Sequence, residues 1–558
     1  MHYIIVFFIA IQVLSPLYAI TPADLTKIQQ QNAQILQNEK NRQAHQKNKN
    51  QSKVNIIDVE EENALPEASK EENCFIIDKF IFHNTKLLTQ KDLDPIINRY
   101  KNRCLGATKI ENLLIQINNL YTKRGYITSR AYIQAQNLSK KVLHIHIFEG
   151  KIEDITLNEK TKQSELTTAF PGLINHYLNL RDIEMGLDQL NRLPRNKATI
   201  GLHAGTKNGY SIINVTNEDK GMVSGQIATG NEGLDVVGIG QASGSLTLDN
   251  PLGYNMQFTL GANGSLEQND EKTSRGYSWN FSLPYGYWLF SAGYREFIYR
   301  STIYGNLQNY ISSGIDQNYY GNMSYTFHRD TERILKVTAG LTFKQNLNFI
   351  SNELLTTSST KLTVGTIGLE ATYTKNNTYL SASLLYHRGL PLFDHIDNYG
   401  HPYKRSLFSK VTANLHINHA FKFQEKDLKF ISNITSQYSP HKLYTPELIS
   451  MGGFYTVRGF NNMHYLGDIG VYAHNNINYP TTLNILGEKI EFTPHIGYDF
   501  GAIEYDSNIW KYMVGMGLGF NAAYKGVNFT YNIAIPLHAH DGVAEENYIS
   551  SFNLVYKF

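Results

Sequence analysis

From about residue 219 to the C terminus the chain repeats one pattern, in which apolar side chains alternate with polar or glycine positions. Val514, Met516, Leu518 and Phe520 interleave with Gly515, Gly517, Gly519 and Asn521. Val527, Phe529, Tyr531, Ile533 and Ile535 interleave with Asn528, Thr530, Asn532 and Ala534. Tyr548, Phe552, Leu554, Tyr556 and Phe558 interleave with Ile549, Ser551, Asn553 and Lys557. A period of two puts one face of each strand in an apolar medium and the other in a polar one. If the apolar medium is lipid, every backbone polar group must be paired within the protein, and among sheets only a closed barrel does that. Composition agrees. The chain has 37 Tyr and 27 Phe, yet its mean hydropathy is negative, whereas a helical membrane protein would be more apolar throughout. No segment supplies the roughly 20 apolar residues that a spanning helix needs.

The pattern yields about sixteen strand segments, an even number as expected of a bacterial outer-membrane barrel. The connections alternate in length. Asn250-Pro251-Leu252-Gly253, Tyr285-Gly286, Arg329-Asp330-Thr331-Glu332, Asn376-Asn377, Gln424-Glu425-Lys426-Asp427, Leu486-Gly487-Glu488 and Lys525-Gly526 are short. Between them lie longer ones, at residues 296–316, 347–360, 389–405 and 439–468. Short periplasmic turns and long outer loops are the usual asymmetry, so both chain ends are expected on the periplasmic side.

Before the barrel the chain divides further. Residues 1–19 carry an apolar stretch from Tyr3 to Ile11 and end Leu17-Tyr18-Ala19, which reads as a secretory signal. His2 stands where Lys or Arg is usual. Residues 20–49 read as a polar, weakly amphipathic helix and residues 50–73 as a charged linker. Residues 74–150 and 151–218 each combine short strands with helical spacing, and read as two small α+β modules in tandem. In the first, Phe75 to Phe82 predicts a strand. Cys74 and Cys104 are the only cysteines among the 558 residues. In an exported chain they are expected to form a disulfide, the alternative being two buried thiols. A net charge of +2 points to no nucleic-acid partner.

The connection at residues 439–468 is unusual for a solvated loop. Ile449-Ser450-Met451-Gly452-Gly453-Phe454-Tyr455 is apolar and glycine-rich, and Phe460 and Tyr465 follow. Ordered long loops are usually functional, and this one is expected to fold into the lumen. It carries Arg458, within Val457-Arg458-Gly459-Phe460. Arg presents forked donors that match a carboxylate. Asp499, in Gly497-Tyr498-Asp499-Phe500-Gly501, shares a strand face with Gly497 and Gly501, and those glycines leave room for an incoming loop. The residues alone allow two arrangements: a paired Arg458 and Asp499, or a solvated loop cation and a lumen anion that never meet.

These motifs resemble those of the two-partner secretion transporters, the haemolysin and filamentous-haemagglutinin exporters, within the larger superfamily of barrel-assembly and polypeptide-translocation proteins. Val457-Arg458-Gly459-Phe460 is similar to the family's long-loop motif, and Gly497-Tyr498-Asp499-Phe500-Gly501 to its partner-strand motif. The run from Tyr121 to Tyr132, the segment Glu149-Gly150-Lys151-Ile152 and the two cysteines resemble its first POTRA domain. Leu178 to Glu184 and Leu190 to Pro194 resemble its second. The resemblance implies a transmembrane β-barrel (residues 219–558) behind two periplasmic POTRA domains, and a pairing of Arg458 with Asp499. It implies that residues 20–49 plug the pore. It implies a TpsA-type exoprotein as the partner of the POTRA domains, outer-membrane lipid around the barrel, and recognition of the terminal Phe558 by the barrel-assembly machinery.

Other signals carry less. Gly515-x-Gly517-x-Gly519 imitates a phosphate loop but lies inside a strand, where small lumen-facing residues explain it. His144 with His146, and His538, His540 and Asp541, lack a convincingly spaced third ligand. No metal or cofactor is expected, and with no serine elbow and no zinc-protease pair, no enzyme either. An insertase of the same superfamily is the alternative function. A passive porin would lack the tandem modules and the Arg458 loop.

Overall fold

The computed structural model describes residues 74–160, 164–269, 271–304, 307–393, 404–460, 463–506, 508–540 and 547–558. The expectations for residues 1–19, 20–49 and 50–73, and for Asp541, lie outside them.

In the N-terminal unit, Phe75–Ile77 pairs antiparallel with Arg103–Leu105, while Lys79–His83 runs parallel to Val142–Phe148, whose other neighbour is Arg130–Tyr132. The single strand expected from Phe75 to Phe82 is therefore two, in separate sheets. Asp78 divides them because its N–H leaves the ladder and donates to the Lys141 carbonyl. Helices Gln90–Ile97 and Ala107–Lys123 cover the sheet. The longer helix buries Ile110, Leu113, Ile117 and Tyr121, an apolar stripe at helical spacing, against Ile77, Leu105, Leu143 and Ile145. A disulfide joins Cys74, just before Phe75–Ile77, to Cys104 of the neighbouring strand Arg103–Leu105.

The next unit repeats the plan. Lys151–Leu157 lies parallel to Tyr210–Asp219, which pairs antiparallel with Asn196–Ala204. Leu180–Asn191 is the main helix, begun by Asn179, whose side-chain oxygen accepts the Arg181 N–H. Sequence periodicity missed the short helix Ser164–Ala169, which is too brief to show a period. The two units are joined closely: the Leu180 N–H donates to the Gly125 carbonyl, and the Leu178 N–H to the Gly150 carbonyl.

The rest is a closed antiparallel barrel of 16 strands, in which the first strand, Val223–Gly230, pairs with the last, Ile549–Lys557. The two-residue strand Glu353–Leu354 pairs with the end of Arg333–Ile350 and continues Thr360–Lys375 along that same partner. Thr481–Ile485 continues Ile469–Asn478 along the same partner, Glu488–Asp506, after a break at Pro480, which has no N–H to give. Strands run longer than the alternation suggested. Trp288–Ile303 and Tyr310–Arg329 stay paired out to Ile303 and Tyr310, so most of the loop expected at residues 296–316 is hairpin. Hydrogen bonding carries the ladder past the lipid, where alternation is no longer required.

The second small unit sits on one end of the barrel. Thr168 Oγ1 donates to the Tyr254 carbonyl and Gln189 Nε2 to the Gly286 carbonyl at 2.8 Å. Tyr287 Oη donates to Asp182 Oδ1 at 2.7 Å. Arg329 bridges to Asp188 at 2.7 Å and also to the buried Glu184. The barrel groups involved all belong to short turns or the strand ends beside them, which places those turns on the side of the small units.

Candidate functional site

The connection at residues 439–468 folds into the barrel. Ile449–Met451 pairs with Tyr465–Gly467 to make a small hairpin, and the chain between them turns back against the wall. Ile449, Met451, Val457, Phe460 and Tyr465 join Tyr472, Ile503, Met513 and Ala539 of the wall in one buried cluster. Burial of Val457 and Phe460 is complete. A side chain the size of Phe contributes about 2–3 kcal/mol when buried, enough to keep an apolar loop off solvent. Gly459 takes φ +93°, and a Cβ there would stand 2.5 Å from the Pro536 nitrogen; only glycine permits both the turn and the close approach.

Arg458 is 2 % exposed and Asp499 0 %. The guanidinium meets the carboxylate side-on: Nε donates to Oδ2 at 2.6 Å and Nη2 to Oδ1 at 2.7 Å. The Arg458 N–H also donates to Oδ2. Nη1 donates to Asn476 Oδ1 and Nη2 to the Asn475 carbonyl, both at 2.8 Å. Asp499 Oδ1 in turn accepts the Asn475 N–H at 3.0 Å, and His474 Nδ1 lies 3.2 Å from Oδ2. The regular ladder between Ile469–Asn478 and Glu488–Asp506 is interrupted at His474 and Asn475. The backbone groups of Asn475 have been redirected to the ion pair. Such satisfaction matters, because a buried charge without partners is strongly unfavourable.

Glycines make the space. A Cβ at Gly497 would collide with Arg458 Nη2 and stand 2.5 Å from the Asn475 carbonyl oxygen. One at Gly515 would collide with the Arg458 carbonyl, and one at Gly517 would come within 2.9 Å of Nη1. Gly501 accommodates Met451 and Tyr472. The glycines of Gly515-x-Gly517-x-Gly519 thus belong to the strand Ile509–Tyr524, and Gly515 and Gly517 seat the arginine.

Phe558 is at the seam: its N–H and carbonyl exchange hydrogen bonds of 3.0 Å with Gly225. His144 and His146 lie beside His83, whose Nε2 is 2.9 Å from His144 Nδ1, and His538 stacks on Tyr512. No group of three or more metal-ligating side chains is assembled among the described residues. Sequence reasoning missed His474, Asn475 and Asn476. An Asn in a polar strand position carries no signal until its partner is known.

Three segments match known families. Residues 209–522 match the haemolysin secretion/activation proteins ShlB/FhaC/HecB, residues 75–150 the ShlB-type POTRA domain, and residues 151–204 a POTRA domain. The chain belongs to the haemolysin secretion/activation family. Members are two-partner secretion transporters, with the barrel in the outer membrane and the POTRA domains in the periplasm. The chain is 29 % identical to the outer membrane transporter CdiB of Dickeya dadantii, over 93 % of its length and 92 % of that protein. The hemolysin transporter protein ShlB of Serratia marcescens is 28 % identical over 83 % and 81 % of the two chains. The solved structure of CdiB from Escherichia coli superimposes with a TM-score of 0.87 at 26 % identity, covering 96 % of this chain and 99 % of that one. In this family setting the turns that contact the second POTRA domain are periplasmic, and the loop bearing Arg458 enters from the cell surface.

Proposed function

We propose that this transporter carries a large, unfolded TpsA-type exoprotein, such as a haemolysin, adhesin or contact-dependent toxin, from periplasm to cell surface, with Arg458 and Asp499 acting as a latch that braces the inward loop. The observation that carries the reading is the ion pair itself: a loop arginine, almost fully buried, seated in a glycine cradle on the wall. Its polar groups are spent on the wall, and no catalytic or cofactor role is assigned to it. The POTRA domains would capture the extended cargo. Among the described residues, Lys79–His83, Arg130–Tyr132 and Asn196–Ala204 are sheet edges, each paired on one side only, and an extended chain can add to such an edge. Residues 20–49 would plug the pore at rest, following a signal at residues 1–19 and preceding a linker at residues 50–73. Units at residues 74–150, 151–218 and 219–558 would be the two POTRA domains and the barrel. Phe558 would present the barrel to the assembly machinery, and the exposed apolar wall would face lipid.

The test is secretion by Arg458→Ala and Asp499→Ala. Each removes one partner and leaves the other charge buried, a loss of about 3–5 kcal/mol. We expect exoprotein in the medium to fall more than tenfold while the barrel remains inserted and heat-modifiable on gels. Normal secretion by both variants would overturn the latch.

A further inference from the structure

The inward loop is held a second time, at its root. Glu447 closes the short helix Thr445–Glu447 and is 1 % exposed. Its carboxylate receives Lys344 Nζ at 2.6 Å and Lys410 Nζ at 2.9 Å. Lys410 Nζ also donates to the Glu447 carbonyl at 2.8 Å and to Gln437 Oε1 at 3.1 Å, while Gln437 Nε2 donates to the same carbonyl at 3.0 Å. The residue is therefore gripped by both its side chain and its backbone. Beside it, Leu443 and Tyr444 pack on Leu362, Val364 and Phe408.

The two grips differ in place and in sign. Lys344, Lys410 and Gln437 stand on Arg333–Ile350, Ser409–Phe423 and Lys426–Tyr438. Arg458 is seated against Ile469–Asn478, Glu488–Asp506 and Ile509–Tyr524. These two arcs of the wall share no strand. At the tip the loop supplies the cation and the wall the anion; at the root the loop supplies the anion and the wall the cations. A loop segment slipped along the wall would bring like charges together, a register-setting use of buried charge.

We propose that Glu447 is a positioning residue that fixes the loop root independently of the tip, so that the Arg458–Asp499 contact can open without the loop leaving the lumen. The inference rests on the latch reading, but its readout needs no cargo, so failure of transport and failure of the second anchor are distinguishable. The experiment uses full-length transporter in intact cells, with Cys74 and Cys104 in their disulfide and a single reporter from Phe454→Cys near the loop tip. The probe is a membrane-impermeant maleimide added outside. Glu447→Ala alone and Arg458→Ala alone should each raise the labelling rate by less than about threefold. The two together should raise it about tenfold or more over either single variant, the signature of two groups holding one element. In the Arg458→Ala background, Glu447→Asp should keep labelling low and Glu447→Gln should not, since the grip needs the charge. Labelling by Arg458→Ala alone as fast as by the double variant overturns the proposal, and so does full protection by Glu447→Gln. Should Glu447→Ala fail to insert, Lys344→Ala, which removes one of the two ammonium groups, takes its place with the same expected outcomes.

Discussion

At the scale of the residue, the latch depends on what is missing from its surroundings as much as on the charges. Gly497 faces Arg458 so closely that one added methyl collides with the guanidinium, which is pinned to Asp499, Asn475 and Asn476. Overpacking of this kind costs about 1–3 kcal/mol. Gly497→Ala should therefore cut secretion to near the level of Arg458→Ala, measured as exoprotein in the medium per inserted barrel. Gly517→Ala, with its Cβ 2.9 Å from Nη1, should retain an intermediate level. Wild-type secretion by Gly497→Ala would show that the guanidinium is free to move. Much of this site was legible in the sequence. Arg458 was conspicuous in an apolar loop, and Asp499 was marked by its flanking glycines. Asn475 and Asn476 were not, because their part is played by a backbone N–H, a carbonyl and an amide that any polar strand position offers.

At the scale of the element, the strands were legible and their ends were not. Alternation marks only the part of a strand that separates lipid from lumen, and hairpins such as Trp288–Ile303 with Tyr310–Arg329 continue beyond it. The docking of the helix Leu180–Asn191 was likewise invisible. Its Asp182, Glu184, Asp188 and Gln189 look like a solvated polar face, yet Glu184 and Gln189 are buried against barrel turns. Arg329 is the pivot, joining Glu184 and Asp188 to the wall. Arg329→Ala takes the cation from the half-buried Asp188 and leaves the buried Glu184 to Arg181 alone, and should loosen the second POTRA domain by about 2 kcal/mol. Amide exchange of Leu180–Asn191 should then accelerate while exchange in the first POTRA domain stays unchanged. Unaltered protection of that helix would show that the other contacts, from Gln189 and Thr168, suffice.

At the scale of the whole molecule, the POTRA domains form one continuous path with the barrel mouth. The first is hydrogen-bonded to the second through Gly125 and Gly150, and the second to the periplasmic turns. Cargo captured on a POTRA edge would be delivered beside the pore. A plug in that pore is the expected resting state, and deleting residues 21–49 should raise single-channel conductance in planar bilayers severalfold. Unchanged conductance would remove the plug from the scheme. The division into periplasmic modules and barrel was readable because hydrophobic patterning changes character near residue 219. How the parts touch was not, because polar contacts between units leave no periodic trace.

The diverted ladder at Asn475 bears on how such a molecule is built. Two neighbouring staves, Ile469–Asn478 and Glu488–Asp506, are incompletely paired with one another, and the deficit is made good by an arginine that arrives from a loop. Without that arginine the Asp499 carboxylate keeps only His474 and the Asn475 N–H beside it, and the Asn475 carbonyl loses its guanidinium donor. The internal tether therefore completes a stretch of wall that strand pairing alone leaves open, in a barrel whose closure between first and last strands does not depend on it.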